Sequence, residues 1–303
     1  LPICKQLRET AQINIWFTGY MATSFYLDFI NYEPSAGGIC DASGILWMPS
    51  DMEKGLSIGQ LIVEHACFDE NHPGITYLDD QVNFFKGDRL SLLSSKSCNA
   101  KCSFCAYNNG QGSKWESRYI SHIVRDIKFG VQTLKMDKIT FSDNDFFGSR
   151  KVSTQKMQSL REELALEGIS FKFSINARAE CLSLDALRLA KEIGLTNITI
   201  GLESLHPETL SQIYFKKVDY EYLDDLIIEA ENLGIHLLLS YILWQPYLTM
   251  VQLKYEIQKL IELGRWRVPQ LLVNSIVKVV PATAMERKMM RDGILHNKLF
   301  SRS

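Results

Sequence analysis

Three cysteines within eight residues carry the most specific chemistry in the sequence. Three residues separate Cys98 from Cys102, and two separate Cys102 from Cys105. Thiolates are soft ligands that suit iron–sulfur clusters, zinc or copper(I). No fourth cysteine lies nearby, and the nearest histidine, His122, falls inside a predicted helix. The spacing therefore predicts a metal centre with three protein ligands and one coordination position open to a bound molecule.

The number of ligands separates a reactive centre from a structural one. Structural zinc sites are closed by four protein ligands, and most electron-transfer [4Fe–4S] clusters use four thiolates. The alternative is a zinc site that takes its fourth ligand from a distant residue such as Cys181 or His206. The chain would then be a non-catalytic zinc-binding protein. The cysteines outside the trio stand alone and are predicted to be buried, inert thiols; they are Cys4, Cys40, Cys67 and Cys181.

Short apolar runs alternate with longer amphipathic stretches from about residue 90 onward. The runs predict strands at 90–94, 138–142, 170–176, 197–202, 235–243 and 271–280, and the stretches predict helices at 118–135, 154–167, 184–193, 222–233 and 250–263. Ser183 is placed to cap the third helix, and glycines that can adopt positive φ follow four of the helices, namely Gly168, Gly194, Gly234 and Gly264. This alternation predicts an α/β fold with a parallel sheet and right-handed crossovers, wound into a partial or full barrel. Functional side chains are then expected at the carboxyl ends of the strands.

Composition excludes several classes of protein. The 303 residues suit one large domain with a smaller attachment, and the net charge of −2 offers no general attraction to nucleic acid. No run of 18 apolar residues predicts a membrane span. The odd count of seven cysteines and the lack of an export signal predict a reducing, cytoplasmic location.

The cysteine spacing resembles the radical S-adenosylmethionine (SAM) superfamily. The Cys-x-x-x-Cys-x-x-Cys motif follows the first predicted barrel strand, and the aromatic Phe104 precedes its last cysteine. The resemblance covers residues 88–295 and implies a partial (β/α)6 barrel of the TIM type. It also implies a [4Fe–4S] cluster on Cys98, Cys102 and Cys105, with SAM on the open iron. One electron from a donor such as flavodoxin or ferredoxin would cleave SAM to a 5′-deoxyadenosyl radical. That radical would abstract hydrogen from an unidentified small-molecule or peptide substrate.

Polar side chains follow the next three strands, where the resemblance places the contacts to SAM. They are Ser142, Asp143 and Asp145 after the second strand, Ser174, Asn176 and Arg178 at the third, and Glu203 at the end of the fourth. The resemblance implies that the second strand end meets the SAM amino group and that Arg178 pairs with its carboxylate, and Phe104 joins this cofactor-binding set. The alternatives are that Asp143 and Asp145 cap the next helix and that Arg178 is a solvated charge.

Residues 1–87 form a separate predicted segment, and residues 296–303 form a short tail. A strand is expected at 13–20 and a short helix at 24–31. The segment 15–23 resembles the closing unit of a cobalamin-binding domain, which adds cobalamin as a candidate cofactor. With cobalamin, the alternative function is methyl transfer to an unactivated carbon. A third interpretation assigns the aromatic residues of this segment to binding a carrier or a peptide.

Overall fold

The computed structural model describes residues 89–105, 114–263, 275–281 and 283–296, together with three short strands near the N-terminus. The chain divides into two compact units, residues 1–72 with 109–112 and residues 73–108 with 113–303. The boundaries 1–87, 88–295 and 296–303 remain a prediction.

The first unit contains a small mixed sheet. Strand β1 (Trp16–Thr18) pairs in parallel with β2 (Gly38–Cys40), and β2 pairs in the antiparallel direction with β3 (Leu46–Trp47). The strand expected at 13–20 is therefore confirmed over its central residues. The predicted helix at 24–31 lies outside the described residues, as do Cys4 and Cys67.

The second unit is built on five parallel strands whose order in the sheet follows their order in the chain. They are β4 (Leu90–Leu92), β7 (Lys138–Phe141), β8 (Lys172–Ala177), β9 (Leu195–Glu203) and β10 (His236–Tyr241). A two-stranded ladder of β5 (Ser95–Lys96) and β6 (Glu116–Ser117) lies beyond the end of β4. Sequential neighbours joined by crossovers make a partial α/β barrel, so the predicted fold class is confirmed.

Helices alternate with these strands. They are α1 (Ile120–Lys128), α2 (Arg150–Glu167), α3 (Leu184–Ile193), α4 (Tyr220–Asn232), α5 (Met250–Glu262) and α6 (Ala284–Arg291). A π-helix (Phe129–Thr133) extends α1, and a second (Thr209–Tyr214) follows β9. Ser183 caps α3, as predicted, and its side chain accepts from the Ala186 N–H. Gly168, Gly194 and Gly234 have positive φ where their helices end.

Apolar side chains from one face of the sheet and from the helices packed on it make the core of this unit. Phe141 and Phe173 on adjacent strands meet edge to face with centroids 5.9 Å apart. Leu160 and Leu187 bring α2 and α3 against the sheet and are fully buried. Along each strand buried apolar residues alternate with more exposed ones, as over Lys172–Ala177, and the buried residues made the strands recognisable in the sequence.

The sixth strand, predicted at 271–280, does not form over its described residues. Residues 271–274 lie outside the described residues, and over 275–281 a single parallel bridge joins Ile276 to Trp244. The Trp244 N–H donates to the Ser275 carbonyl, and the Val277 N–H donates to the Trp244 carbonyl. The next donor along that strand would belong to residue 246, which is Pro246 and has no N–H. The ladder therefore stops after one residue.

No helix in the described part of the chain is both long and apolar enough to cross a membrane.

Candidate active site

The three predicted ligands lie in a loop at the carboxyl end of the sheet, after β5. Cys98, Cys102 and Cys105 are each half-buried and form no disulfide. The Ala100 N–H donates to Cys98 Sγ at 3.5 Å, and the Cys105 N–H donates to the Cys102 carbonyl at 3.2 Å. The chain turns back on itself here, so three thiols emerge from one short loop.

Ser103 anchors this loop to two other parts of the barrel. It is 2% exposed, and its N–H donates to the Tyr214 carbonyl at 3.0 Å while its hydroxyl donates to the Ile213 carbonyl. Its own carbonyl accepts from the Met285 N–H at 2.9 Å, in the first turn of α6. Because Ser103 lies between two of the cysteines, the loop is tied both to the π-helix after β9 and to α6.

Burial disfavours the thiolate forms of Cys98 and Cys102 when no cation is bound. It raises the pKa of Cys98, and it raises the pKa of Cys102 to about 11, against the opposing effect of the Lys216 ammonium. Mutual repulsion with the other thiolates also raises the pKa of Cys102, so the three sulfurs lie within electrostatic range of one another. Metal binding supplies the positive charge that makes such thiolates stable.

A single zinc ion and a [4Fe–4S] cluster require different spacings of three thiolates. In the described part of the chain, no group of three or more His, Cys, Asp or Glu side chains is arranged to hold one metal ion. Thiolates around a single zinc lie within roughly 4 Å of each other, because each Zn–S bond is about 2.3 Å long. A [4Fe–4S] cluster binds each thiolate through a different iron and needs a wider spacing.

The two residues considered as distant zinc ligands have other partners. Cys181 is buried and donates to the Gly148 carbonyl at 3.3 Å, and burial raises the pKa of its thiol. It is therefore the buried, inert thiol that was predicted. His206 Nδ1 accepts from the Thr209 N–H at 3.3 Å, at the start of the second π-helix.

Phe104 lies within an apolar cluster. Its ring meets Tyr214 edge to face, with centroids 5.4 Å apart, and packs beside Met285 and Met289. These contacts join the cysteine loop to α6. A cofactor-binding role for Phe104 stays a prediction.

The polar residues predicted after β7 differ in how far they are hydrogen-bonded within the protein. Asp143 is 1% exposed, and its carboxylate accepts from the Ser94 N–H at 3.0 Å and from the hydroxyls of Ser94 and Ser95. Ser142 is exposed and shares a 2.6 Å hydrogen bond with Ser91. Asp143 thus holds the chain between β4 and β5 in place.

Asp145 has an unused carboxylate oxygen. The side chain is fully buried, and Oδ1 accepts from the Phe147 N–H at 3.3 Å, but Oδ2 accepts nothing from the described residues. Burial raises the pKa of this carboxyl group, against the effects of the Phe147 N–H, the Arg178 guanidinium and the neighbouring Cys181 thiol. Neither Asp143 nor Asp145 caps α2, because the side chain of Ser149 does so. The helix-cap alternative for these aspartates is therefore wrong.

Arg178 follows β8 and is half-buried, so it is not the solvated charge that was considered. One guanidinium nitrogen donates to Glu180 Oε1 at 2.5 Å, whereas its buried Nε has no partner among the described residues. The Glu180 carboxylate holds the pKa of Arg178 above its usual range despite burial. On β8 itself, the Ser174 hydroxyl donates to Thr140 at 3.1 Å, and the exposed Asn176 donates to the Asp143 carbonyl at 3.4 Å.

Glu203 ends β9 in a conformation uncommon for its residue type. It has φ of 70° and is 7% exposed; its carboxylate lies 3.5 Å from Lys216 Nζ and accepts from the Ser240 hydroxyl at 3.2 Å. Burial raises the pKa of Glu203, and Lys216 opposes that shift. A Cβ on Gly201 would lie 2.6 Å from Glu203 Oε1, so a larger residue there would displace this carboxylate from its present position. Positive φ at a non-glycine residue is typical of functional sites.

A cavity of about 680 Å³ lies beside the cysteine loop. Its wall includes Cys102 from the cysteine loop, Arg178 and Glu180 from the segment after β8, and Lys216 from the segment after β9. The structure thus brings one predicted ligand and one predicted SAM-binding residue to the same opening. Ser142, Asp143, Ser174 and Asn176 lie at neighbouring strand ends, with Asp143 committed to internal hydrogen bonds.

Sequence reasoning missed two buried lysines beside this site. Lys216 donates to the Gly201 carbonyl, and Lys156 donates to the Ser94 hydroxyl at 2.7 Å and to the Phe146 carbonyl at 2.8 Å. Both are at most 7% exposed. Lys156 is a single charged residue on the buried face of α2. Lys216 lies in a segment without helix or strand periodicity. A buried lysine is recognisable only once its partners are placed.

The free energy of unfolding is expected to depend on pH because Lys156 is buried. Burial lowers its pKa to about 8, from 10.5. Between these values the unfolded chain holds a proton that the folded chain has lost, so stability rises with pH there. Relative to Lys156→Met, the wild type should gain about 3 kcal/mol between pH 8 and pH 10.5. Urea unfolding at several pH values measures this difference, with the exposed Lys151→Met as control. Parallel pH curves for wild type and Lys156→Met would contradict it.

Comparison with known proteins identifies the family of the chain. A family model described as the radical SAM superfamily matches residues 92–253, more than half of the chain. The chain therefore belongs to the radical SAM superfamily. It is an enzyme, and the cofactors of its family are a [4Fe–4S] cluster and SAM. The family resemblance, the enzyme class and these cofactors were predicted correctly from the sequence.

Two curated relatives are methyltransferases. An uncharacterized methyltransferase of Pyrococcus horikoshii is 21% identical over 155 residues, which are 51% of this chain and 33% of that protein. The cytidylyl-2-hydroxyethylphosphonate methyltransferase of Streptomyces wedmorensis is 22% identical over 167 residues, which are 55% of this chain and 30% of that protein. The chain thus spans about a third of the length of these relatives.

Two solved structures share the fold over most of the chain. The cobalamin-dependent S-adenosylmethionine radical enzyme OxsB, with aqua-cobalamin bound, is 17% identical, with a TM-score of 0.66 over 96% of this chain and 50% of that one. The radical S-adenosylmethionine methyltransferase TsrM from Kitasatospora setae, with tryptophan and a SAM analogue bound, is 12% identical, with a TM-score of 0.64 over 87% of this chain and 56% of that one.

Proposed function

We propose that Cys98, Cys102 and Cys105 hold the [4Fe–4S] cluster and that the adjoining ends of β7, β8 and β9 hold SAM for reductive cleavage. The donor set fits, because three soft, half-buried thiols leave one iron open to a ligand. A cluster held by Cys98, Cys102 and Cys105 would supply the electron for reductive cleavage of SAM to methionine and a 5′-deoxyadenosyl radical. The chain's own residues then bind, orient and shield the reactants.

Two buried polar atoms support the proposal that SAM binds here. Asp145 Oδ2 and Arg178 Nε are buried, without a partner among the described residues, and both side chains influence the pKa of Cys98. Buried polar groups are costly to leave unpaired. A ligand that brings an ammonium to Asp145 and a carboxylate to Arg178 removes both costs, and the methionyl end of SAM carries these two groups.

Other residues of the site position these two groups. Glu180 accepts a hydrogen bond from one nitrogen of the Arg178 guanidinium. The other N–H groups of that guanidinium can donate to a carboxylate. Glu203, fixed by Lys216 and Ser240, presents a carboxylate to ammonium or hydroxyl groups. The apolar cluster around Phe104 shields the cysteine loop from water on one side, which protects a reactive radical from side reactions.

The proposed outcome of the radical step is hydrogen abstraction from a small-molecule or peptide substrate. An external one-electron donor, such as a flavodoxin or ferredoxin, and a cytoplasmic location belong to the same proposal. The redox chemistry requires that donor, because no protein side chain supplies electrons at the potential of such a cluster.

Methyl transfer with cobalamin is the second candidate. The names of both curated relatives and of TsrM describe methyltransferases, and OxsB is described with aqua-cobalamin bound. The segment 15–23, with its resemblance to the end of a cobalamin-binding domain, includes β1. To distinguish the two candidates, cobalamin is added to the protein, and the cobalamin absorbance that remains with the protein after gel filtration is measured.

The decisive experiment measures SAM cleavage by the full chain. The protein is reconstituted without oxygen using iron and sulfide, then incubated with SAM and dithionite, with and without cobalamin. We expect 5′-deoxyadenosine, detected by mass spectrometry, in amounts that depend on both SAM and reductant. A chain that takes up zinc, with no iron or sulfide, overturns the proposal, as does an intact [4Fe–4S] protein that yields no 5′-deoxyadenosine under either condition.

A further inference from the structure

The cavity beside the cysteine loop carries more positive than negative charge. Five cationic side chains line it, against two carboxylates. The cations are Lys101, Arg150, Arg178, Lys216 and Lys217, and the carboxylates are Glu180 and Asp219. This excess contrasts with the net charge of −2 of the whole chain. The charge of the cavity is therefore a local feature.

Two of the cations are already neutralised within the protein. Arg178 pairs with Glu180, and Lys216 pairs with Glu203 at 3.5 Å. In our proposal Arg178 also meets the single carboxylate of SAM. The cations that remain are Lys101, Lys217 and Arg150, opposed by Asp219.

These three cations lie toward the solvent side of the cavity. Lys101 and Lys217 are exposed, and neither forms an ion pair within the described part of the chain. Arg150 is the first residue of α2, and its guanidinium lies 3.4 Å from the centroid of the Tyr222 ring. This stacking restrains Arg150 while leaving its edge free to donate hydrogen bonds.

Two helix N-termini add to the positive potential. Helix α2 begins at Arg150, and α4 begins after Asp219, and both of these residues line the cavity. The N-terminus of a helix carries a partial positive charge and free N–H groups that favour anions. Asp219 satisfies one of those groups, since it accepts from the Tyr222 N–H at 3.2 Å. The side chains and the helix termini thus favour the same kind of ligand.

We propose that the substrate is a polyanionic small molecule whose phosphate groups lie against Lys101, Lys217 and Arg150. This inference rests on the proposed function, because it assigns the substrate of the same cavity. Arginine and helix N-termini suit the several oxygens of a phosphate group, and lysine adds point charge. With SAM bound near Cys102, a ligand held by these rim residues lies at the mouth of the same cavity.

Equilibrium binding of inorganic pyrophosphate to the reconstituted full chain tests this inference. Calorimetry at constant ionic strength is expected to detect binding, and Lys217→Glu and Lys101→Glu should each weaken it about tenfold, since each reverses a charge near the ligand. The matched control is Lys172→Glu, an exposed lysine at the opposite, amino-terminal end of β8. It should bind pyrophosphate as the wild type does.

The remaining outcomes separate this inference from the proposed function. Citrate, which carries similar charge on carboxylates, should bind more weakly, and equal or tighter binding of citrate overturns the phosphate assignment. The same wild-type sample is assayed for SAM cleavage. Failure to bind pyrophosphate in a sample that cleaves SAM overturns the substrate inference alone. Equal loss of binding in Lys172→Glu also overturns it, because the effect would then reflect overall charge.

Discussion

Replacing Cys102 with alanine is expected to abolish both the cluster and SAM cleavage. Reconstituted wild type should contain about four irons per chain. The variant should lose most of that iron, together with the visible absorbance of the cluster, because two thiolates cannot hold it. The yield of 5′-deoxyadenosine should fall to that of a reaction without protein. Iron and sulfide analysis and mass spectrometry on the same samples measure both effects.

The control for this variant is Cys181→Ala. Cys181 is a buried thiol that donates to the Gly148 carbonyl, and it lies outside the trio. Its replacement should lower the stability by about 1 kcal/mol and leave the iron content at the wild-type level. If Cys102→Ala retained a full cluster, or if Cys181→Ala lost iron to the same extent, the assignment of the ligands would be incorrect.

Replacing Glu256 with alanine is expected to have the largest effect on stability. Glu256 extends from α5 and is 2% exposed. Its carboxylate accepts from the N–H groups of Leu205 and His206, at 2.9 and 3.3 Å, and from the hydroxyls of Ser204 and Tyr241.

Removal of this carboxylate leaves several buried donors unpaired. Each unpaired donor costs about 1–3 kcal/mol, so the total loss should reach about 3–5 kcal/mol. The affected segment follows Glu203 directly, and SAM cleavage should therefore fall along with stability.

Glu262→Ala is the matched control for Glu256→Ala. Glu262 is an exposed carboxylate on the same helix, and it pairs with Lys259. Its removal should change the stability by less than about 1 kcal/mol, as for most surface ion pairs. Urea denaturation of all three proteins measures the difference. Similar losses in both variants would show that the buried hydrogen bonds of Glu256 do not stabilise this segment.

Much of the second unit was recognisable in the sequence. The helix at 184–193 was predicted with both its bounds and its Ser183 cap correct. The five strands of the parallel sheet were each located to within about two residues, because each carries several buried apolar residues between two stretches of helical periodicity. The exception was the sixth strand. Its apolar pattern resembles that of the others, but the segment beside it carries Pro246, which has no N–H to extend a ladder.

The candidate site was less accessible to sequence reasoning than the fold. The three cysteines are recognisable because their spacing is itself the motif. The roles of the two aspartates after β7 were not distinguishable, because both occupy one polar turn. The structure commits Asp143 to Ser94 and Ser95 and leaves Asp145 Oδ2 without a partner in the described part of the chain.

The sequence by itself determined the class of chemistry, because ligand type and local spacing are properties of a short segment. It also determined the order of strands and helices, because burial imposes a periodicity on neighbouring residues. Only the tertiary structure decided which charges meet. Lys216 beside Glu203, Lys156 beneath the turn after β7, and the cationic rim of the cavity all join residues from different elements. Electrostatic partners act through space over a few ångströms, and the distance between them along the chain carries no signal of that contact.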